Sequence, residues 1–115
     1  MEIDKSLMSG STTMLILNLL EKKDMYGYDM IDSLKKSSKD TFMLKAGTLY
    51  PLLHNLEKKG MVIAYEGKSE KGRIRKYYKI TASGKGLLKD KEKEWSLFTN
   101  TINNILHGGT YCEPT

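Results

Sequence analysis

The chain has 115 residues, of which 29% are charged and 39% hydrophobic, and its formal net charge at pH 7 is +5. This size predicts one domain with a modest core, which a partner chain would help to stabilise. The composition excludes a disordered chain, and no apolar run approaches the roughly 18–20 residues that a membrane span needs. The N-terminal residues lack the apolar core of a signal peptide, and the single cysteine, Cys112, excludes an intramolecular disulfide and an all-thiolate metal site. A cytoplasmic protein is therefore expected.

The first two predicted elements are helices. The first runs from Ser11 or Thr12 to Lys23, because a hydroxyl residue suits an N-cap and lysines suit the C-terminal end of a helix. A turn over residues 24–27 then leads to a short second helix, over about residues 27–36, and a polar break follows.

The third helix has the clearest pattern, because its leucines follow the spacing of a helix with one buried face. These are Leu49, Leu52, Leu53 and Leu56. Gly60 is expected to end the helix. The start stays open between Ala46 and Thr48: Pro51 is harmless if Thr48 is the N-cap, but it removes one hydrogen bond if the helix begins at Ala46. The face opposite the leucines presents Gly47, Pro51, His54, Asn55 and Lys58, with Thr48 and Tyr50 on its flanks.

Residues 62–66 and 74–80 predict the two strands of a hairpin, because aromatic and β-branched residues alternate with polar ones in the second segment. Residues 67–79 hold six cations and one carboxylate, so this segment alone accounts for the net charge of +5. Alternation places Arg73, Arg75 and Tyr77 on one face, and Lys76 and Tyr78 on the other. Such charge suits a polyanion, nucleic acid first, although it also keeps an edge hairpin soluble.

The last predicted element is a long helix over about residues 83–107, ended by Gly108 and Gly109. Its apolar residues, with Lys91, follow the 3/4 spacing of a coiled-coil seam. At 1.5 Å per residue the helix is roughly 35 Å long, which is more than so small a domain can cover. Dimerisation is therefore expected through Leu88, Trp95, Phe98, Ile102 and Ile105. Residues 109–115 predict a disordered tail.

Three helices followed by a hairpin is the order of a winged helix-turn-helix. The predicted fold is accordingly mainly α with a two-stranded β-hairpin: a DNA-binding domain over residues 1–82 and a C-terminal dimerisation helix over residues 83–108. In such a domain the third helix enters the major groove, and the hairpin, or wing, lies along the backbone or minor groove. The candidate DNA-binding residues lie on these two elements: Lys45, Thr48, Tyr50, His54, Asn55, Lys58, Lys71, Arg73, Arg75 and Lys76. Among them Arg73 best suits a narrow minor groove, whereas Tyr50 is equally suited to packing.

Three stretches resemble the PadR family of bacterial transcriptional regulators: residues 26–31 (YGYDMI), 47–60 (GTLYPLLHNLEKKG) and 75–84 (RKYYKITASG). They have the order and the gaps of the family, although Lys45 and Ala46 replace its frequent Ser-Pro. The resemblance implies a dimeric winged-helix repressor that binds a palindromic operator in double-stranded DNA. The single long C-terminal helix resembles the family's smaller subgroup, in which this helix crosses to the partner chain.

In some members of that subgroup an aromatic residue on this helix, with its twin, lines a pore that accepts flat hydrophobic molecules. The resemblance therefore implies an effector site at Trp95, and methionines such as Met8 would give it soft, adaptable walls. Trp95 is equally suited to packing in a dimer interface.

Two other classes of function compete with DNA binding. A winged fold also serves as a protein-interaction module, in which case the basic wing would bind an acidic partner protein. An enzyme is not expected, because His54 and His107 are far apart and the sequence contains no nucleophile, phosphate-loop or metal-binding motif. No cofactor and no metal are expected.

Overall fold

Seven elements make up the part of the chain that the computed structural model describes, residues 3–108. In chain order they are α1 (Lys5–Lys22), β1 (Met25–Tyr26), α2 (Gly27–Ser37), α3 (Ala46–Lys58), β2 (Val62–Lys68), β3 (Ile74–Ile80) and α4 (Ala82–Leu106). This arrangement confirms the winged helix-turn-helix followed by a long C-terminal helix. The predicted disordered tail, residues 109–115, lies outside the described residues, and the division into domains stays a prediction.

Helix α1 begins at Lys5, well before the predicted start at Ser11 or Thr12. Asp4 caps it, because its Oδ1 accepts a hydrogen bond from the Ser6 backbone N–H at 2.9 Å. Hydrogen bonds from the side chain and backbone of Ser6 also hold the pKa of Asp4 below its ordinary value. Ser11 Oγ and Thr12 Oγ1 instead donate to the Met8 carbonyl, at 3.0 and 2.8 Å, as hydroxyls within a helix commonly do. The residues chosen as caps therefore lie inside the helix.

The turn predicted over residues 24–27 contains the short strand β1. It pairs antiparallel with β3, Met25 opposite Tyr78 and Tyr26 opposite Tyr77, so the strand order in the sheet is β1-β3-β2. A strand of two residues is too short to show an alternating pattern. The predicted two-stranded hairpin is therefore corrected to a three-stranded sheet.

Helix α3 begins at Ala46, which settles the question that the sequence left open. The backbone N–H groups of Thr48 and Leu49 both donate to the Lys45 carbonyl at 3.0 Å, so Thr48 is helical and is not the cap. Pro51 consequently lies inside the helix, where it has no N–H to donate to the preceding turn. At the other end Gly60 has a φ of 75°, and the Met61 N–H donates to the Leu56 carbonyl at 2.9 Å. This geometry confirms Gly60 as the helix stop.

Strands β2 and β3 form the wing, paired antiparallel from Val62 opposite Ile80 to Lys68 opposite Ile74. β2 ends at Lys68 rather than at the predicted Glu66. Tyr78 and Ile80 are buried toward the helices, and the alternate residues of β3 face the other side of the sheet. The two faces predicted from the alternation are confirmed.

The core collects apolar side chains from every helix and from the sheet. Its most completely buried members are Ile16, Leu17, Leu20, Met30, Leu49, Leu53, Val62 and Leu88. Because Leu49, Leu53 and Leu56 all point into this core, the opposite face of α3 is turned to solvent.

Helix α4 starts against the turn that follows α3. Thr81 Oγ1 accepts a hydrogen bond from the Gly84 N–H at 3.0 Å and donates to the Gly60 carbonyl at 2.7 Å. Only Gly84 and Leu88 of this helix are buried, so most of its length projects from the core, and the molecule measures 56 × 33 × 21 Å. Among the helices of residues 3–108, none has the length and apolar composition needed to cross a bilayer.

Candidate nucleic-acid interface

The outward face of α3 carries the polar side chains that the sequence predicted there. Thr48, His54 and Asn55 are exposed along the helix, and Lys45 and Lys58 are exposed at its two ends. Hydroxyl, imidazole and amide groups can each donate or accept hydrogen bonds at base edges, and the lysines can contact phosphates. The face is therefore chemically suited to a DNA groove.

Tyr50 packs against a neighbouring helix and is also partly exposed. Its ring packs over Gly27 at the start of α2, where an added Cβ would lie 2.7 Å from Tyr50 Cζ. Nevertheless 47% of the residue is exposed. A side chain at position 27 would displace the Tyr50 ring from this position.

The cations of the wing do not share one environment. Lys76 lies on the face of β3 that turns toward the helices, with Nζ 3.7 Å from Glu57 Oε1 of α3 and 5.5 Å from the centroid of the Tyr78 ring. Arg75 lies on the opposite face, with Cζ 5.3 Å from the centroid of the Tyr26 ring. Lys71 and Arg73 are exposed in the turn between the strands. Lys76 thus places the cationic strand directly beside α3.

Three tyrosines, Tyr26, Tyr65 and Tyr77, form what we call the tyrosine cluster on the outer face of the sheet. The Tyr77 ring meets Tyr26 edge to face at 5.5 Å between centroids and stacks on Tyr65 at 5.7 Å. Both contacts join residues that are paired across the sheet. Gly67 leaves room for the Tyr77 ring, since an added Cβ would lie 2.9 Å from Tyr77 Cδ1.

A hydrogen bond from Tyr65 Oη to Asp24 Oδ2 ties β2 to the connection between α1 and β1. This bond raises the pKa of Tyr65 above its ordinary value, because losing the proton would break the bond and place two negative charges together. Sequence reasoning missed Asp24, Tyr26 and Tyr65. The alternation of β3 correctly placed Tyr77 beside Arg75, but finding its neighbours required the pairing of β1 and β2 with β3.

The space between the wing and the start of α2 is a cleft of about 450 Å³, which we call the wing cleft. Its charged lining residues are four cations and three carboxylates: Lys23, Lys71, Arg73, Arg75, Asp24, Asp29 and Glu70. Three tyrosines, Tyr26, Tyr28 and Tyr77, complete its aromatic lining. The cleft is thus polar and nearly balanced in charge.

The far part of α4 presents an uncovered apolar face. Trp95 is 39% exposed, Phe98 is 51% exposed, and Ile102 and Ile105 continue the face toward the C-terminal end. Leu88 differs from these predicted dimer residues: it is 1% exposed and belongs to the core of the single chain. Little of its surface is left for a second chain to contact, and its assignment to the interface stays a prediction.

Trp95 and Phe98 lie with ring centroids 6.1 Å apart beside a hollow of about 290 Å³. Leu7, Gly10 and Met14 of α1 form the other wall of this hollow. Met8, predicted to share an effector site with Trp95, lines a different cavity of about 740 Å³, together with Thr48 of α3. Within one chain the structure therefore does not bring Met8 and Trp95 together.

Within residues 3–108, no three His, Cys, Asp or Glu side chains are grouped closely enough to hold a metal ion.

Comparison with known proteins identifies the family. The sequence profile of the "Transcriptional regulator PadR-like family" matches residues 16–90. The chain belongs to this family. The match covers every DNA-binding candidate of α3 and the wing, and it excludes Met8 and Trp95.

Solved structures agree with the PadR assignment. A transcriptional regulator from Clostridium thermocellum is 33% identical, with a TM-score of 0.79 over 86% of this chain and 96% of that one. A PadR-like transcriptional regulator from Bacillus cereus is 29% identical, also with a TM-score of 0.79, over 90% of this chain and 98% of that one. By sequence comparison, a protein from Lysinibacillus sphaericus is 34% identical, over 92% of this chain and 97% of its own length. The PadR likeness therefore extends into α4, beyond the matched profile.

Proposed function

We propose that this PadR-like protein is a homodimeric repressor that binds a palindromic operator in double-stranded DNA. The observation that carries the proposal is the junction of α3 and the wing: Lys76 Nζ lies 3.7 Å from Glu57 Oε1, so the cationic strand adjoins the exposed polar face of α3. One element can then enter a major groove while the other follows the neighbouring backbone.

The two elements divide the work of recognition. Thr48, His54 and Asn55 are placed to contact base edges, which specify sequence. Lys45, Lys58 and Lys71 are placed to contact phosphates, which orient the protein without reading bases. Arg73, exposed in the turn just before the second wing strand, is the candidate for the minor groove.

A dimer would supply a second recognition helix, so that each half-site of the operator is bound by one subunit. Two copies joined through the far part of α4 would present two α3 helices, and a palindromic operator requires these about 34–36 Å apart. The apolar face of α4 supports this arrangement, because Trp95 stays 39% exposed and Phe98 51% exposed within residues 3–108.

Selection of duplexes from a random-sequence DNA pool tests the proposal. We expect a palindromic consensus, and an affinity that falls roughly 10³- to 10⁵-fold between 50 and 200 mM salt, as about 6–10 phosphate contacts imply. Arg73→Ala should weaken binding and reduce the salt dependence, whereas Lys93→Ala, an exposed cation on α4, should change neither. If no sequence is enriched and the affinity does not change with salt, the result would favour the alternative function, a winged module that binds an acidic protein partner.

We further propose that a flat hydrophobic small molecule binds at Trp95 and relieves repression. The hollow between Trp95, Phe98 and α1 supports this, because aromatic and apolar walls suit a planar ring system. A ligand that prefers a different spacing of the two subunits would shift the population away from the DNA-binding arrangement.

Titration of variants with planar cationic dyes tests the effector proposal. At protein concentrations where sedimentation shows the Trp95→Ala variant to be dimeric, the substitution should weaken dye binding roughly tenfold, because a large stacking surface is lost. Operator affinity, measured at the same concentrations, should fall much less. Leu97→Ala is the matched control, because Leu97 is 70% exposed on the same helix and does not line the hollow. Unchanged dye binding by Trp95→Ala would contradict the proposal.

A further inference from the structure

Arg75 is held in place without an ionic partner. Its guanidinium lies over the Tyr26 ring, with Cζ 5.3 Å from the centroid, and its Nε is buried without a hydrogen-bond partner among the described residues. Lys76, the next residue, is instead paired with Glu57. Arg75 thus combines a fixed stem with a guanidinium that forms no direct ion pair with a carboxylate within residues 3–108.

The ring beneath Arg75 is itself held by the tyrosine cluster. Tyr26 is paired with Tyr77 across the sheet and contacts its ring edge to face at 5.5 Å. Tyr77 is fixed in turn by stacking on Tyr65 and by donation from its Oη to the Lys68 carbonyl at 3.2 Å. These contacts join β1, β3 and β2, so the position of the Tyr26 ring depends on the whole sheet.

Arg75 lines the wing cleft, and the summed charge of the cleft lining attracts an anion only weakly. Four cations face three carboxylates there, so the net charge of the lining is close to zero. Binding of an anion in such a place depends on donors set in a fixed direction. A guanidinium offers this, because its planar N–H groups match a phosphate in pairs and lose little freedom when already immobilised.

We propose that the tyrosine cluster positions Arg75 to bind a backbone phosphate of DNA in the wing cleft. The inference rests on the proposed DNA-binding function and adds Tyr26 to it as a positioning residue. Arg75 is the phosphate ligand, and Tyr26 acts only through Arg75.

A double-mutant cycle tests this, with a duplex selected by the wild-type protein as the probe. Tyr26→Leu frees Arg75, which must then be ordered on binding, so affinity should fall roughly 2- to 12-fold per subunit. Tyr26→Phe keeps the ring and should bind like wild type. In an Arg75→Ala background, Tyr26→Leu should have no further effect, because its partner is absent.

A second variant keeps all three tyrosines. Gly67→Ala places a Cβ 2.9 Å from Tyr77 Cδ1, so the ring must move, and DNA affinity should fall in wild type but not in Arg75→Ala. Gly86→Ala is the control, because a Cβ there meets no atom within 4 Å. Thermal unfolding of each variant separates loss of fold from loss of positioning.

Two results would overturn the inference: equal losses from Tyr26→Leu in both backgrounds, or an Arg75→Ala variant that binds the duplex as tightly as wild type, with an unchanged salt dependence. Neither would affect the proposed function, which fails separately if the wild-type protein selects no duplex.

Discussion

Two glycines in the first turns of α4 lie in opposite environments. A Cβ on Gly84 would overlap the Met61 carbonyl oxygen and lie 2.7 Å from Ile80 Cγ1, whereas a Cβ on Gly86 would meet nothing within 4 Å. Neither glycine is required by its backbone conformation, since both are helical. Gly84 is therefore a packing residue, and it lets α4 start directly against the backbone of Met61, which follows α3.

Alanine at these two positions should change stability in opposite directions. Gly84→Ala forces the backbone of residue 61 away from α4 and should lower the free energy of unfolding by about 1–3 kcal/mol. Gly86→Ala should raise it by about 0.5–1 kcal/mol, because alanine loses less conformational freedom in a helix. Urea unfolding at one fixed protein concentration measures both, since dimerisation makes stability depend on concentration. A Gly84→Ala variant as stable as wild type would contradict the tight approach of α4 to the backbone of Met61.

Among the elements, the wing is joined to the rest of the domain by its pairing with β1, by its buried side chains and by two polar side-chain contacts. Lys76 pairs with Glu57 of α3, and Tyr65 Oη donates to Asp24 Oδ2 beyond the end of α1. The second contact lies on the outer face with the tyrosine cluster. The wing is thus linked to the helices from both faces of the sheet, which restricts the direction in which its cationic turn points.

The Tyr65 hydrogen bond should make the wing sensitive to alkaline pH. The pKa of Tyr65 is raised above its ordinary value of 10.0 in the folded protein, so the stability it contributes is complete below that value and is lost as pH rises through the folded pKa. Ultraviolet titration of the tyrosines should show a late component that Tyr65→Phe removes. Asp24→Asn should move this component to lower pH, because the charge that opposes ionisation is gone; an unmoved component would contradict the contact.

For the whole molecule, α4 has two parts with different tasks. Leu88 completes the core, whereas Trp95, Phe98 and Ile105 are exposed on the part that projects beyond it. An exposed apolar face along a helix that leaves the core is typical of an interface between chains.

A charge placed on this face should separate the subunits. Phe98→Glu should shift the protein from dimer to monomer in sedimentation experiments, because a carboxylate would be buried without a partner. Lys93→Glu also places a carboxylate on an exposed position of α4, but off the seam, and should leave the dimer intact. A wild-type chain that sediments as a stable monomer would contradict the proposed dimer.

Much of the fold could be predicted because its signals are local. The leucine spacing of α3, the alternation of β3 and the glycine after α3 each report on neighbours within a few residues, and the structure confirms all three. The start of α1 was wrong because hydroxyl residues bond to the backbone both at caps and inside helices. Strand β1 was missed because two residues carry no periodic signal.

The sequence alone predicts the fold class, the outward face of α3 and the concentration of charge on the wing. The helix and strand periods decide which side chains share a face, and the positions of the cations can be read directly from the sequence. Only the tertiary structure shows the tyrosine cluster, the pairing of Lys76 with Glu57, the core position of Leu88 and the separation of Met8 from Trp95. These depend on how distant segments are registered and packed: Asp24 and Tyr65 share a hydrogen bond across 41 residues of chain. No period within one element carries that information.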